Sequence, residues 1–483
     1  MVKAKAKDGL NRCPKCGASD TSLDLKTGKL KCNFCRTLFD ATTANGKTEI
    51  DKLKGRKVGK GAKDIIPDKK TIVTFKCPSC GAEVVINADE TTNAKCHWCR
   101  HVFGINEQID NGAVPDMVLP FKLDKATGEK SIREFVAKRQ FYAHPTFKKE
   151  FTTENTMGVY LPYMVIDVNA HATLSGQAEH QTRTYTVSVG TGNVRRTVRY
   201  YDADLYDVSR DFDIVIDDLT VEASKDKLNQ NSLINTTNVI NAIMPFDTEN
   251  CASWNANYLR GFASEKRDTN VEDLSGIAKI QAGDIARYKV KETMGFYDRG
   301  AVWSSENIDV KGAEWKSAYL PIWLYSYLEK KDDKKLLHYV AVNARDGKTM
   351  GSVPLYTAKL LAVSIVIEIL SVILGFLWAF IWFSDDDSAY AGFLTLFSGF
   401  IYYFIIKNKY RNMNARNKHE STTRSEIKNV KKTDTFVKKR TRLKNSQIEG
   451  KNSDDVKGTV SKLNKSGFME NLSNKVIEEI KNR

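Results

Sequence analysis

Cys13, Cys16, Cys32 and Cys35 recur as Cys77, Cys80, Cys96 and Cys99, and both sets read C-x2-C-x15-C-x2-C. Four thiolates can close a tetrahedral shell around Zn²⁺, with metal–sulfur distances of about 2.3 Å. A two-residue spacer suits a tight knuckle whose two sulfurs face one ion. Fifteen residues suffice for a short hairpin that brings the second knuckle round. Gly17 and Gly81 follow the first knuckle of each set, where backbone freedom is useful. The spacing reads as two zinc ribbons, each holding one structural ion. A shell of four protein ligands leaves no open position for a catalytic water.

Other uses of C-x2-C fit less well. Haem attachment needs a histidine after the second cysteine, and Gly17, Arg36, Gly81 and Arg100 occupy those positions. The opening MVKAKAKDGLN has no apolar stretch of the kind a secretory signal carries, so disulfides are not expected. His97 and His101 could replace a cysteine, but the cysteine sets are complete without them. Each ribbon is short, so metal binding is expected to drive its folding. Phe34 and Trp98, inside the second knuckles, are candidate exposed contact residues, with local packing as the alternative. Cys251 stands outside both sets and reads as a buried small side chain.

No catalytic set accompanies the cysteines. NGKT at 45–48 and DGKT at 346–349 resemble the end of a phosphate loop, but Ala41 and Val342 stand where its first glycine belongs. His171 and His180 read as surface histidines, and Asp217 and Asp218 as solvated strand ends. A non-enzymatic role is expected.

The chain around these residues has 483 positions and a net charge of +15. The excess lies at its ends, with +10 in the first 75 residues and +12 from Lys407 to Arg483. An anionic partner, nucleic acid or lipid, fits such ends. Leu360 to Phe383 is apolar with one charge, Glu368, and Ala389 to Ile406 is a second apolar run. At 1.5 Å per residue they span roughly 36 and 27 Å. SDDDS lies between them and KNKYRNMNARNK follows, so the positive-inside rule places both flanks in the cytoplasm. That reading makes the chain a cell-membrane protein with two helices and cytoplasmic termini. It also keeps the thiols in a reducing compartment.

The stretch between ribbons and helices carries weak internal similarity. VLPF at 118–121 is echoed by IMPF at 243–246, and YLPYMVIDV at 160–168 by YLPIWLYSY at 319–327. GEKSIREFVAKRQF places Ile132, Phe135, Val136 and Phe141 near helical spacing. Residues 182–208 alternate as a hairpin with its turn at Gly190 to Asn193, and residues 338–354 as a strand, an Asp346-Gly347 turn and a strand. The expected fold is multidomain. Zinc ribbon 1 covers 1–40, a basic linker 41–70 and ribbon 2 71–110. An α+β domain with an antiparallel sheet and a probable internal repeat covers 111–357. A two-helix transmembrane hairpin at 358–407 and a basic tail at 408–483 complete it. The tail is expected to be largely disordered, with Lys431 to Lys444 against the anionic inner leaflet. Met469, Leu472, Val476 and Ile480 would share one face of a terminal helix.

The ribbon cysteines, LPF at 119–121 and the YLPIWLYSY to GKTMGSVP segment at 319–354 together resemble bacterial membrane proteins described as TFIIB-type zinc-ribbon-containing proteins. The resemblance covers most of 77–406. Similar proteins are sometimes labelled primosomal or superfamily II helicases, a label that the incomplete phosphate loops do not support. The resemblance implies structural zinc, a membrane location and a recognition or scaffold role toward an unnamed protein. Nucleic-acid binding through the ribbons and the basic ends is the alternative.

Overall fold

The structure, a computed structural model, describes residues 13, 21–24, 26–39, 49–63, 72–80, 82–87, 95–100, 102–103, 108–109, 114–189, 196–223, 243–254, 256–267, 269–331, 334–381, 397–411 and 421–444. Strands β1 (Thr21–Leu23), β2 (Leu30–Cys32) and β3 (Leu38–Phe39) form a separate three-stranded sheet around the first cysteine set. The larger sheet takes in β4 (Gly55–Val58), β5 (Ile72–Lys76), β6 (Glu83–Asn87), β7 (Gln108–Ile109), β8 (Met117–Val118), β9 (Met157–Val189) and β10 (Arg196–Glu222). It continues through β11 (Ala252–Ser253), β12 (Ala263–Glu265), β13 (Ala301–Lys331), β14 (Lys334–Asn343), β15 (Thr349–Gly351) and β16 (Arg424–Leu443). The helices are α1 (Lys60–Lys63), α2 (Lys125–Ala137), α3 (Pro145–Glu150), α4 (Val271–Val290), α5 (Thr357–Ile381) and α6 (Ser398–Arg411).

The antiparallel pair β9 and β13 forms the spine. At its centre the two YLP segments face each other, with Tyr160 opposite Pro321, Leu161 opposite Leu320 and Pro162 opposite Tyr319. Side chains alternate across a strand, and here the alternation sorts two apolar faces. Val159, Leu161, Tyr163, Leu320, Ile322 and Leu324 lie on one, packed with residues of the second ribbon. Tyr160, Tyr319, Trp323 and Tyr325 lie on the other, under Ile132, Phe135 and Val136 of α2 and Phe147 of α3. Asp124 caps α2, its carboxylate accepting the Thr127 N–H at 2.9 Å. Gly128 allows the helix to approach closely, since a Cβ there would meet the Trp323 ring at 2.5 Å.

Farther along β9, Ala170, Ala172 and Leu174 pack against Leu274, Ala278, Ala282 and Ile285 of α4. A capping box at Asn270 and Asp273 starts that helix. Both hairpins form in the expected places. Val189 pairs with Arg196 across the first turn, and Val342 pairs with Thr349 across the second.

The two-helix expectation needs correction. Among the described residues one helix, Thr357–Leu377 within α5, is long and apolar enough to cross a membrane. Helix α6 has 14 residues and carries Lys407, Lys409 and Arg411 in its last turns, giving a length of roughly 21 Å. Residues 389–396, the start of the second apolar run, lie outside the described residues. Helices α5 and α6 pack together where a Gly399 Cβ would meet the Ser364 carbonyl at 2.2 Å. Glu368, the one charge in the first run, accepts the Gly399 N–H at 2.7 Å and so satisfies a donor at the start of α6.

The tail also differs from expectation. Arg424 to Leu443 is not disordered and does not lie free for lipid: it is strand β16, antiparallel to β10. Charge complementarity is the physical reason. Strand β10 presents acids opposite the tail's bases, pairing Asp204 with Lys439, Asp211 with Lys431 and Asp213 with Lys428. The proposed terminal helix at 468–483 lies outside the described residues.

Candidate metal centres

In the second set the sulfurs of Cys77, Cys80, Cys96 and Cys99 all lie within 4.8 Å of one another. Cys77 and Cys99 are 3.3 Å apart, and Cys80 and Cys96 3.6 Å. A tetrahedron of thiolates at ordinary metal–sulfur distance has edges of about 3.8 Å, so the donor set fits one ion. These spacings far exceed a disulfide bond, and all four residues are free cysteines. Neighbouring Cys80 and Cys99, and then burial, push the Cys96 thiol well above its usual range. A cation among the sulfurs would reverse that penalty.

The strands that aim these sulfurs are apolar. In the β5–β6 hairpin Thr74 faces Val85 and Phe75 faces Val84, and the Cys77 N–H closes the first knuckle on the Ala82 carbonyl at 2.8 Å. The second knuckle closes with the Arg100 N–H on the Cys96 carbonyl at 2.8 Å. Arg100 has φ +64°, so a left-handed residue ends this turn. Its counterpart Arg36 has φ +61° and donates to the Cys32 carbonyl at 2.9 Å. Sequence reasoning assigned the unusual backbone to Gly17 and Gly81, which lie outside the described residues, and missed the two arginines.

The first set brings together Cys13, Cys32 and Cys35, with Cys13 and Cys35 3.5 Å apart. Cys16 lies outside the described residues. The Cys35 N–H donates to the Cys32 sulfur at 3.4 Å, as amides do around metal-bound thiolates. Both clusters could therefore hold a metal ion, and thiolate donors favour zinc or another soft cation.

The two ribbons stand in opposite relation to the rest of the chain. Ribbon 2 was read as a domain of its own over 71–110, and Cys77, Cys96, Phe75, Val84, Ile86 and Trp98 belong to the core over β9 and β13. Trp98 meets the Tyr339 ring edge-on at 5.2 Å. Ser326 donates from its hydroxyl to the His97 carbonyl at 2.6 Å, and the Arg100 guanidinium lies 4.9 Å from the Tyr325 ring centre. Trp98 is therefore 5% exposed and is not an outward contact residue, whereas Phe34 at the same place in ribbon 1 is 81% exposed. His97 is buried and is not one of the converging ligands. His101 lies outside the described residues.

A third group departs from its sequence reading. Asp218 is buried rather than solvated, because the chain turns inward there at φ +58° within a register shift between Ile216 and Leu219. It lies with Asp167 and Asp217. Burial raises Asp167 to about 6. Arg424 answers this charge, with nitrogens 2.7 Å from Asp218 and 3.2 Å from Asp217. Asp217, Asp218 and Arg424 line a cleft of about 340 Å³, where the buried Arg345 also clasps Asp247 at 2.7 Å. His171 and His180 do not meet. His171 sits between Asp213 and Asp211 at 3.0 and 3.1 Å, and His180 donates from Nδ1 to the Phe296 carbonyl at 2.9 Å. Cys251 is buried.

No family model, no curated protein and no solved structure matches this chain.

Proposed function

We propose that this chain is a membrane-anchored zinc protein that holds ribbon 1 out toward a protein partner, while ribbon 2 and its ion complete the core. The observation that carries the reading is the contrast between exposed Phe34 and buried Trp98 at matching positions. An exposed aromatic on a rigid metal knuckle adds contact area at little entropic cost, as binding hot spots require. Ribbon 1 makes its own small sheet and meets the body through contacts such as Asn257 to the Cys13 carbonyl, at 3.4 Å. Its knuckle face is therefore available.

The membrane reading is supported by where the helices meet the folded domain. The Tyr356 N–H, just before α5, donates to the Tyr142 carbonyl at 2.8 Å. Near the end of α6, the Tyr410 hydroxyl accepts from the Tyr142 N–H at 3.2 Å. The pair thus leaves and returns at one place, which suits a hairpin with the ribbons and β16 on the same side. Both are assigned to the cytoplasm. Cysteine labelling of intact cells from outside is expected to modify a probe at Ser384 or Ser388 and to spare one at Ser425. Outside labelling at Ser425 would overturn the topology.

A photo-crosslinker in place of Phe34, tested in native membranes, is expected to form protein adducts, and one in place of Trp98 to form none. Nuclease-sensitive adducts at position 34 would favour the nucleic-acid reading, for which the basic Lys31 and Arg36 near the knuckle speak. No adducts at position 34 would defeat the recognition role.

A further inference from the structure

The turn Gln140–Tyr142, between α2 and α3, forms a collar against the first turn of α5 and the last turns of α6. It is tightly held. The Tyr142 hydroxyl bonds the Tyr402 hydroxyl at 2.8 Å, the Ala143 backbone bridges to Leu355, and the His144 N–H donates to the Pro354 carbonyl at 2.8 Å. Phe141 nevertheless points outward and is 60% exposed. The Lys359 ammonium donates to the Phe141 carbonyl at 3.0 Å and sits 3.8 Å from the centre of its ring. One turn back, the Arg139 guanidinium lies 3.6 Å from the Phe135 ring and donates to the Phe135 carbonyl at 3.2 Å. Among the described residues no carboxylate pairs with Arg139 or Lys359, and the Arg139 Nε is buried without an acceptor. Burial pulls Arg139 below the usual guanidinium range.

Two cations without carboxylate partners thus lie at this turn, Lys359 on the outward Phe141 ring and Arg139, two residues before Phe141, on the Phe135 ring. Directly beyond them α5 exposes Leu361, Ile365, Val366 and Ile369. An aromatic ring with basic neighbours at the edge of an apolar belt has the composition of a membrane–water boundary. We propose that Phe141, Arg139 and Lys359 form a binding surface for anionic lipid headgroups. Phe141 rests at the hydrocarbon boundary and the two cations meet headgroup phosphates. The inference rests on the membrane reading of α5. It assigns the lipid contact to the collar, in place of the tail segment Lys431 to Lys444.

The test uses the full-length protein in liposomes of phosphatidylcholine, alone or mixed with phosphatidylglycerol. A photo-reactive phenylalanine analogue replaces either Phe141 or Leu374, the latter exposed on α5. Position 374 is expected to label lipid in both mixtures. Position 141 is expected to label phosphatidylglycerol preferentially. In the background of Arg139→Gln and Lys359→Gln that preference should fall roughly fivefold for each charge removed, while Arg139→Lys with Lys359→Arg should keep it. Lipid labelling at 374 with none at 141 would overturn the collar and leave the membrane reading standing. Labelling at 141 that ignores phosphatidylglycerol or the glutamine substitutions would overturn headgroup recognition. Silence at both positions would remove the membrane reading and the collar with it.

Discussion

Replacing Cys96 with serine, or chelating the ion it would hold, is expected to unfold the central sheet together with ribbon 2. A structural zinc site contributes an apparent ~10–16 kcal/mol to folding, comparable to the whole stability of a typical domain, ~5–15 kcal/mol. Were ribbon 2 an independent module, that loss would stay within it. Here Cys77 and Cys96 share one core with Leu161, Leu320, Ile322 and Tyr339. Losing the knuckles uncovers the face of β9 and β13 on which they rest. Hydrogen exchange of the β13 amides from Ala318 to Leu324 is the measurement, since these lie at the centre of the sheet. They should lose protection in Cys96→Ser or after chelation, and keep it in Cys32→Ser, which disturbs the separate sheet of ribbon 1. Unchanged protection in Cys96→Ser would mean that ribbon 2 is dispensable to the fold.

Asp434→Ala is expected to destabilise the protein by about 3–5 kcal/mol, the cost of leaving a buried ion-pair partner alone. The partner is Arg210, which is 1% exposed and meets both carboxylate oxygens of Asp434, one at 3.1 Å. Its bonds to the Thr293 hydroxyl and the Ser209 carbonyl do not supply a counter-charge. Lys431→Ala, which removes an exposed cation 3.9 Å from Asp211, should change stability by less than about 0.5 kcal/mol. Arg440→Ala should fall between them. Its partner Glu179 is 0% exposed but also holds the Arg299 Nε at 2.9 Å. Denaturant unfolding in detergent micelles orders the three. Equal small effects for Asp434 and Lys431 would show that β16 is not fastened through Arg210.

The candidate site was legible where chemistry imposes spacing. Two knuckles separated by fifteen residues admit few uses, and seven of the eight cysteines meet as expected among the described residues. The hairpins were legible because alternation and an Asp-Gly turn are local signals. What ribbon 2 does was not legible from its cysteines, which match those of ribbon 1. The signal lay beside them. Ile72, Phe75, Val84, Val85 and Ile86 are all buried, and a strand apolar on both faces is covered on both. The tail strand was hidden because Arg424 to Leu443 is mostly exposed and basic and shows little alternation. Its partner is some 220 residues earlier in the chain, and only the acids of β10, set against the bases of the tail, hinted at the pairing.

The position of β16 also sets an order of assembly. The strand follows α5 and α6 in the chain, so β10 is synthesised long before the segment that covers its edge. During that interval a strand of 27 residues offers open backbone groups to any passing chain, the usual route to aggregation. The acids along β10 repel one another's copies and accept a lysine-rich strand. The same side chains that hold the tail in the finished protein therefore guard the unfinished one until the tail has been made.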